Sequence, residues 1–211
     1  MVIRKDIKEF ISTIPEDVTL VAATKYVDSS TMRDLYRLGI TNFGENRVES
    51  FLEKYDSLSD LDIDWHFIGH LQRNKARKVI NKINCLHSLD SLSLAAIIDE
   101  YRDKPLDCFI EVSINEEENK NGLPVNKVKD FITECSKYNN IHIVGLMMMA
   151  IANSDAQSLH DQFSKLRLLR DSLEKELNIS LPYLSMGMSD DYQIAIEEGA
   201  THIRLGRILF E

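Results

Sequence analysis

The sequence predicts a single α/β domain over residues 1–211, a (β/α)8 TIM barrel with an extra helix at its N-terminus. Three observations lead there. Short apolar runs alternate with segments of helical spacing until eight strands are counted. The first of them, Val18-Thr-Leu-Val-Ala-Ala-Thr-Lys25, is an almost unbroken apolar run that reads as a strand buried on both faces of a parallel sheet. No Gly/Ser- or Pro-rich linker, low-complexity tract or fixed-period repeat divides the chain. At 44% hydrophobic and 28% charged, 211 residues suffice for one large core and are short for two domains.

Taken in order, Ile3, Ile7, Phe10, Ile11 and Ile14 share one helical face, which Pro15 stops. The first strand follows and ends in Lys25. Met32, Leu35 and Leu38 then recur at helical spacing, with Gly39 placed to close that helix in the left-handed conformation. Residues 40–46 form the second strand, Val48, Phe51, Leu52 and Tyr55 the next helical face, and residues 63–69 the third strand. A helix around Val79, Ile80 and Ile83 leads to a strand at 85–90, and a helix carrying Leu94, Ala95 and Ile98 to a strong strand at 108–114. Val128, Phe131, Ile132 and Cys135 mark an amphipathic helix before the sixth strand at 141–147. The longest helix, with Leu159, Phe163, Leu166, Leu169, Leu173 and Leu177 on one stripe, precedes strand seven at 183–187. A short helix starting near Ser189 and a last strand at 202–206 complete the alternation. The final residues leave out the last outer helix, so the N-terminal helix is expected to pack outside the join between strands eight and one. Residues 115–122 read as a solvated loop over the barrel mouth, turning at Gly122.

Composition excludes several functions. With 25 Lys and Arg against 34 Asp and Glu, the net charge of −9 opposes a general nucleic-acid or anionic-membrane surface. The N-terminus mixes charge with apolar residues and is neither a signal peptide nor a membrane anchor. Cys85, Cys108 and Cys135 form no C-x-x-C pair and read as reduced core residues of a cytoplasmic protein. No metal-ligand spacing, nucleophile elbow or phosphate-binding P-loop is present, so no metal is expected. His66, His87 and His142 read as satisfied core or strand-end histidines.

Barrels carry their chemistry beyond the carboxyl ends of the strands, which places Lys25 at a mouth. A lysine there is either a side chain reaching water or an amine whose partial desolvation frees it to attack a carbonyl. After strand seven, Ser185-Met-Gly-Met-Ser189 offers two hydroxyls and Gly187 ahead of a short helix; after strand eight, Arg204-Leu-Gly206 adds a guanidinium and a second glycine. Loops at these two places frequently bind phosphate. The structural alternative makes Ser189 an N-cap, with Asp190 and Asp191 complementing the helix dipole. Met147 and its neighbours Met148 and Met149 form a soft apolar wall able to flank a flat ring.

These residues resemble, in order along almost the whole chain, the motifs of the pyridoxal 5′-phosphate homeostasis proteins (the YggS/PROSC family). The matching segments are Thr24-Lys25, Phe43-Gly-Glu-Asn46, Trp65-His-Phe-Ile-Gly69, Leu71-Gln72 with Asn74-Lys75, His87-Ser-Leu-Asp90, Gly145-Leu-Met147, Ser185-Met-Gly-Met-Ser-Asp-Asp191 and Ile203-Arg-Leu-Gly206. The resemblance implies a fold-type III barrel like the N-terminal domain of alanine racemase, with pyridoxal 5′-phosphate held as an aldimine on Lys25. It also implies that Ser185, Ser189 and Gly206 hold the phosphate, that Asn46 lies beside the ring, and that Arg204 faces either the pyridine nitrogen or the phosphate. An arginine against that nitrogen keeps it unprotonated and weakens the ring as an electron sink. Three positions depart from the family pattern: Ala150-Ile151 lacks a proline, Arg207 replaces a small residue, and the chain stops one residue after Phe210.

The expected function is therefore a non-catalytic protein that buffers or delivers pyridoxal phosphate to recipient apoenzymes in vitamin B6 and amino-acid balance. The absence of a second, racemase-like domain supports that reading and points to a monomer. The rival is a racemase-like amino-acid enzyme using Lys25, for which adjacent Tyr26 is a poor second base because strand alternation turns it to the opposite side. A cofactor-free aldolase is a third reading.

Overall fold

The predicted runs become parallel strands because β-branched and aromatic side chains on both faces leave no polar side to expose. A computed structural model describes residues 1–115 and 121–211. Its strands are β1 (Thr19–Ala23), β2 (Asn42–Glu45), β3 (Asp64–Phe67), β4 (Cys85–Leu89), β5 (Leu106–Ser113), β6 (Leu123–Pro124), β7 (Ile141–Met147), β8 (Tyr183–Ser185) and β9 (His202–Leu205). The order β4-β3-β2-β1-β9-β8-β7-β5, with β4 pairing back onto β5, is a closed barrel of eight parallel staves. The two-residue β6 adds to the far end of β5 and is the one strand the sequence pattern does not announce. β1 joins β9 from Thr19↔His202 to Ala22↔Leu205, so strand eight closes beside strand one.

The helices are α1 (Ile7–Ser12), α2 (Ser29–Arg37), α3 (Val48–Ser57), α4 (Arg73–Ala76), α5 (Leu92–Tyr101), α6 (Val125–Cys135), α7 (Ala156–Leu177) and α8 (Tyr192–Glu197). Side-chain caps start three of them: Asp28, Ser91 and Asp155 accept the amides of Thr31, Leu94 and Ser158. Gly39 closes α2 at φ +101°, as the spacing predicts. The N-terminal helix sits where expected. Phe10 meets Tyr192 of α8 edge-on at 6.1 Å, and an antiparallel bridge joins Ile3 to Phe210.

Three local expectations need correction. The helix expected around Val79, Ile80 and Ile83 is only the four residues of α4; turns follow, and Val79 and Ile80 are buried from those turns and Ile83 from the irregular stretch after them. The short helix after strand seven starts at Tyr192, and its N-cap position is Asp191, because Ser189 Oγ is occupied elsewhere. Tyr26 does not face away from Lys25. The strand stops at Ala23, so the two-residue alternation ends before Lys25 and Tyr26, which share a turn. Most of the loop predicted over the mouth, residues 116–120, lies outside the described residues; Gly122 does turn, at φ +105°.

The larger apolar core fills the shell between strands and helices, with Phe43, Phe51, Phe67, Leu86 and Phe163 all fully buried. A separate small cluster of Cys85, Phe109, Val144 and Met147 lies on the inward-facing strand positions. Between barrel and α3 sits a buried ion pair, Lys54 Nζ to Glu45 Oε1 at 2.6 Å. The same ammonium donates to the Thr24 carbonyl at 2.6 Å, and Thr24 Oγ1 donates to Glu45 at 2.5 Å. This network fixes the residue immediately before Lys25.

Candidate functional site

The C-terminal mouth opens beside the β1–β9 join as a cavity of about 290 Å³, near the lower end of the usual ligand-pocket range. Lys25 and Tyr26 of the turn after β1 form one side, Ser189 and Asp190 of the loop after β8 another, and Arg204 of β9 with Gly206 just after it the base. Lys25 is exposed, and its Nζ lies over the Tyr26 ring, 4.8 Å from the centroid. Ser189 Oγ accepts from the amides of Gly206 and Ile208 at 3.3 and 3.4 Å, so two backbone N–H groups and a hydroxyl converge at one wall. Arg207, exposed beside them, pairs with Asp190. Gly187 stands at φ +94°, and a Cβ there would lie 2.6 Å from Ala195 Cβ; only glycine lets this loop fold onto α8.

Of the eight residues that the sequence nominates, Lys25, Ser189, Arg204 and Gly206 line this cavity together. The other four do not line it. Ser185 is fully buried below, Gly187 supports the loop, and Met147 belongs to the inner apolar cluster. Asn46, past the end of β2, holds its Oδ1 buried without a hydrogen-bond partner. An unpaired buried acceptor costs free energy in the absence of a donor.

Beneath the cavity a hydrogen-bonded chain runs through the barrel. Arg204 Nη1 donates to Ser185 Oγ at 2.6 Å, and Nη2 to the Met148 carbonyl at 2.9 Å. Ser185 Oγ lies 2.8 Å from His87 Nδ1, His87 Nε2 lies 2.9 Å from His66 Nδ1, and His66 Nε2 lies 3.0 Å from Asn42 Oδ1. The Asn42 amide oxygen only accepts, and burial keeps both imidazoles neutral, which orders the protons from that end: His66 Nε2–H donates to Asn42, His87 Nε2–H to His66 Nδ1, and the Ser185 hydroxyl to His87 Nδ1. Both imidazoles are then neutral Nε2–H tautomers. Sequence reading takes these histidines one at a time; the signal it leaves is that Cys85 and His87, two apart on a strand, share a face, with His66 on the neighbouring strand.

Burial sets the protonation of the whole assembly. Desolvation lowers His66 to about 3 and His202 to about 4, and holds His87 well below its ordinary value. It lowers Arg204 to about 10, still charged at neutral pH. Glu111 moves the other way, raised to about 7 by desolvation and then by Asp90. The histidines' folded values lie below the unfolded 6.5, so their contribution to stability is present above pH 6.5 and is lost as pH falls toward 4 and 3. Glu111 takes up a proton on folding between 4.5 and 7 and offsets part of that loss. Urea midpoints are expected to fall between pH 6.5 and 4, and more steeply in Glu111→Gln; parallel profiles for the two proteins would contradict the assignment.

Known proteins share this architecture. Residues 3–211 match the family described as "Alanine racemase, N-terminal domain". A pyridoxal phosphate homeostasis protein of Aquifex aeolicus is 42% identical over 90% of this chain and 85% of its own, and one of Synechocystis sp. is 37% identical over 96% and 94%. PipY of Synechococcus elongatus, solved with PLP bound, superposes with a TM-score of 0.89 at 32% identity, covering 97% of this chain and all of the other. An alanine racemase of Clostridium difficile shares the fold at a TM-score of 0.80 and 16% identity, with 98% of this chain matching 57% of the racemase. The closed barrel, the lysine at its mouth and these similarities place the chain in the pyridoxal phosphate homeostasis protein family.

Proposed function

We propose that this protein binds pyridoxal 5′-phosphate at the C-terminal mouth and buffers or delivers it without efficient catalysis of its own. The observation that carries this reading is the convergence of one lysine amine, a serine hydroxyl, the Gly206 amide bonded to it and a buried guanidinium on a single cavity. The residues fit the cofactor's chemistry. The Lys25 amine suits the aldehyde, condensing with it to a Schiff base with loss of one water. Ser189 and the amides of Gly206 and Ile208 suit the phosphate, and a side chain at Gly206 would grow toward Ala23, another residue of the cavity wall. Asn46 brings an unpaired acceptor to the same mouth. Ser185 acts on the cofactor through Arg204, and Gly187 through the loop it permits.

When bound, pyridoxal phosphate supplies an electron sink for carbanions at an amino-acid α-carbon. Arg204 remains charged; against the ring nitrogen it would keep that nitrogen unprotonated and the sink weak, and against the phosphate it would add to the anion's hold. Tyr26 shares Lys25's side and presents its ring face to the ammonium, so it supplies no base to the opposite face of a substrate. Three free, buried cysteines accord with the reducing cytoplasm, and among the described residues no helix is long and apolar enough to cross a membrane.

The test pairs two measurements on the cofactor-loaded protein. Incubation with a cofactor-free pyridoxal phosphate enzyme is expected to transfer cofactor and restore that enzyme's activity. Amino acids in heavy water are expected to gain no α-deuterium beyond the rate of free pyridoxal phosphate. Sustained Lys25-dependent exchange would establish the racemase-like reading instead.

A further inference from the structure

The barrel has a second opening. At its N-terminal mouth a polar cavity of about 240 Å³ is lined by Asn42, Asp64, His66, Cys85, Asp107 and His202. On its inner side His66, Cys85 and His87 each offer a ligand atom, the three atoms lie within 4.8 Å of one another, and all three residues are buried. We propose that His66, Cys85 and His87 bind a borderline transition-metal cation of the Zn²⁺ class, admitted through this N-terminal cavity and separate from the pyridoxal phosphate site.

The ligand chemistry selects that class. Two neutral imidazoles and a thiolate suit zinc and its neighbours, whereas magnesium and calcium prefer all-oxygen sites. The geometry requires little movement. With metal–nitrogen bonds of about 2.05 Å at a tetrahedral angle, two imidazole nitrogens sit about 3.3 Å apart and their ring centroids about 5.2 Å apart. Here the facing nitrogens, His66 Nδ1 and His87 Nε2, are 2.9 Å apart and the centroids 5.1 Å. The rings therefore need to tilt toward a shared ion without translating. A thiolate at about 2.3 Å from the ion lies about 3.6 Å from each nitrogen, and the present separations of at most 4.8 Å are within reach of a rotation of Cys85. The fourth position faces the cavity and takes water, while Asp64 and Asp107 make its entrance attractive to a cation.

Proton accounting gives the site a signature. Cys85 loses its thiol proton on ligation, so one proton is released per ion. His87 stays neutral but exchanges tautomer: its proton leaves Nε2, which now holds the ion, and occupies Nδ1. There it becomes the donor to Ser185 Oγ, and the Ser185 hydroxyl turns away. The hydrogen bond between the two histidines is replaced by two metal–nitrogen bonds.

The probe is Co²⁺ added to chelator-treated, cofactor-free full-length protein. One equivalent is expected to bind, with tetrahedral visible bands, a thiolate-to-cobalt charge-transfer band and one proton released, all bleached by equimolar Zn²⁺. Cys85→Ser is expected to lose the charge-transfer band, and His66→Gln to weaken binding about 100-fold. X-ray absorption of the unsubstituted protein reads the same point without any variant and is expected to show one sulfur and two imidazoles. Failure to bind stoichiometric Co²⁺, an all nitrogen and oxygen shell, or binding indifferent to both substitutions would overturn the proposal and leave the histidine chain as polar core alone. None of these outcomes depends on pyridoxal phosphate.

Discussion

Lys25→Ala protein incubated with pyridoxal phosphate and then borohydride is expected to carry no covalently attached cofactor, where the unsubstituted chain carries one. Lys25 is the lysine of the cavity wall, and an imine needs an amine with a lone pair to attack the aldehyde. Lys25→Arg sharpens the point, because a guanidinium keeps the positive charge but stays protonated and cannot condense. Both variants are expected to lose the yellow imine band. The arginine variant is expected to retain the stronger residual affinity, since charge at the mouth still attracts phosphate. Mass spectrometry after reduction reads the outcome directly, and cofactor still fixed to Lys25→Ala would remove Lys25 from the role.

The next largest effect is expected on stability. Lys54→Met strands the Glu45 carboxylate, fully buried between barrel and α3, with only the Thr24 and Ser50 hydroxyls for company. Breaking one partner of a buried ion pair costs about 3–5 kcal/mol, because the remaining charge has lost both water and counter-charge. For a chain of this size each kcal/mol is worth about 2–4 °C, so Tm is expected to fall by about 10 °C. Removing both charges in Lys54→Met with Glu45→Leu is expected to recover most of that loss. A double variant as unstable as the single one would show that the network matters for shape and not for charge. Calorimetry on the three proteins decides between them.

The barrel was legible because its strands are apolar on both faces and its helices on one, two patterns that different periods separate cleanly. The closure of strand eight on strand one followed from the strand count alone. Local errors arose where burial and regular structure part company: Val79, Ile80 and Ile83 are core residues on turns and irregular chain, and their apolar spacing mimics a helix. Ser189 has the sequence of an N-cap, yet Gly206 and Ile208, 17 and 19 residues later, claim its oxygen. Strand alternation misplaced Tyr26 because it was carried three residues past the end of β1. Lys25, Ser189, Arg204 and Gly206 were readable as one site, since barrel topology fixes which loops are neighbours. The grouping of His66, Cys85 and His87 was not, since it depends on the register of β3 against β4, which no local spacing records.

One property of Arg204 bears on what the cavity above it can hold. Its guanidinium sits in the barrel bonded to a hydroxyl and a carbonyl, and among the described residues to no carboxylate. The hydroxyl and the two imidazoles below it align their dipoles with the negative ends upward, so the charge is solvated by dipoles, while Asp191 and Glu111 act on it only through space. A cation held this way keeps positive potential at the base of the cavity, which favours an anionic guest. A preference for negatively charged guests is thus built into the barrel axis, at the base of the cavity whose wall carries Lys25.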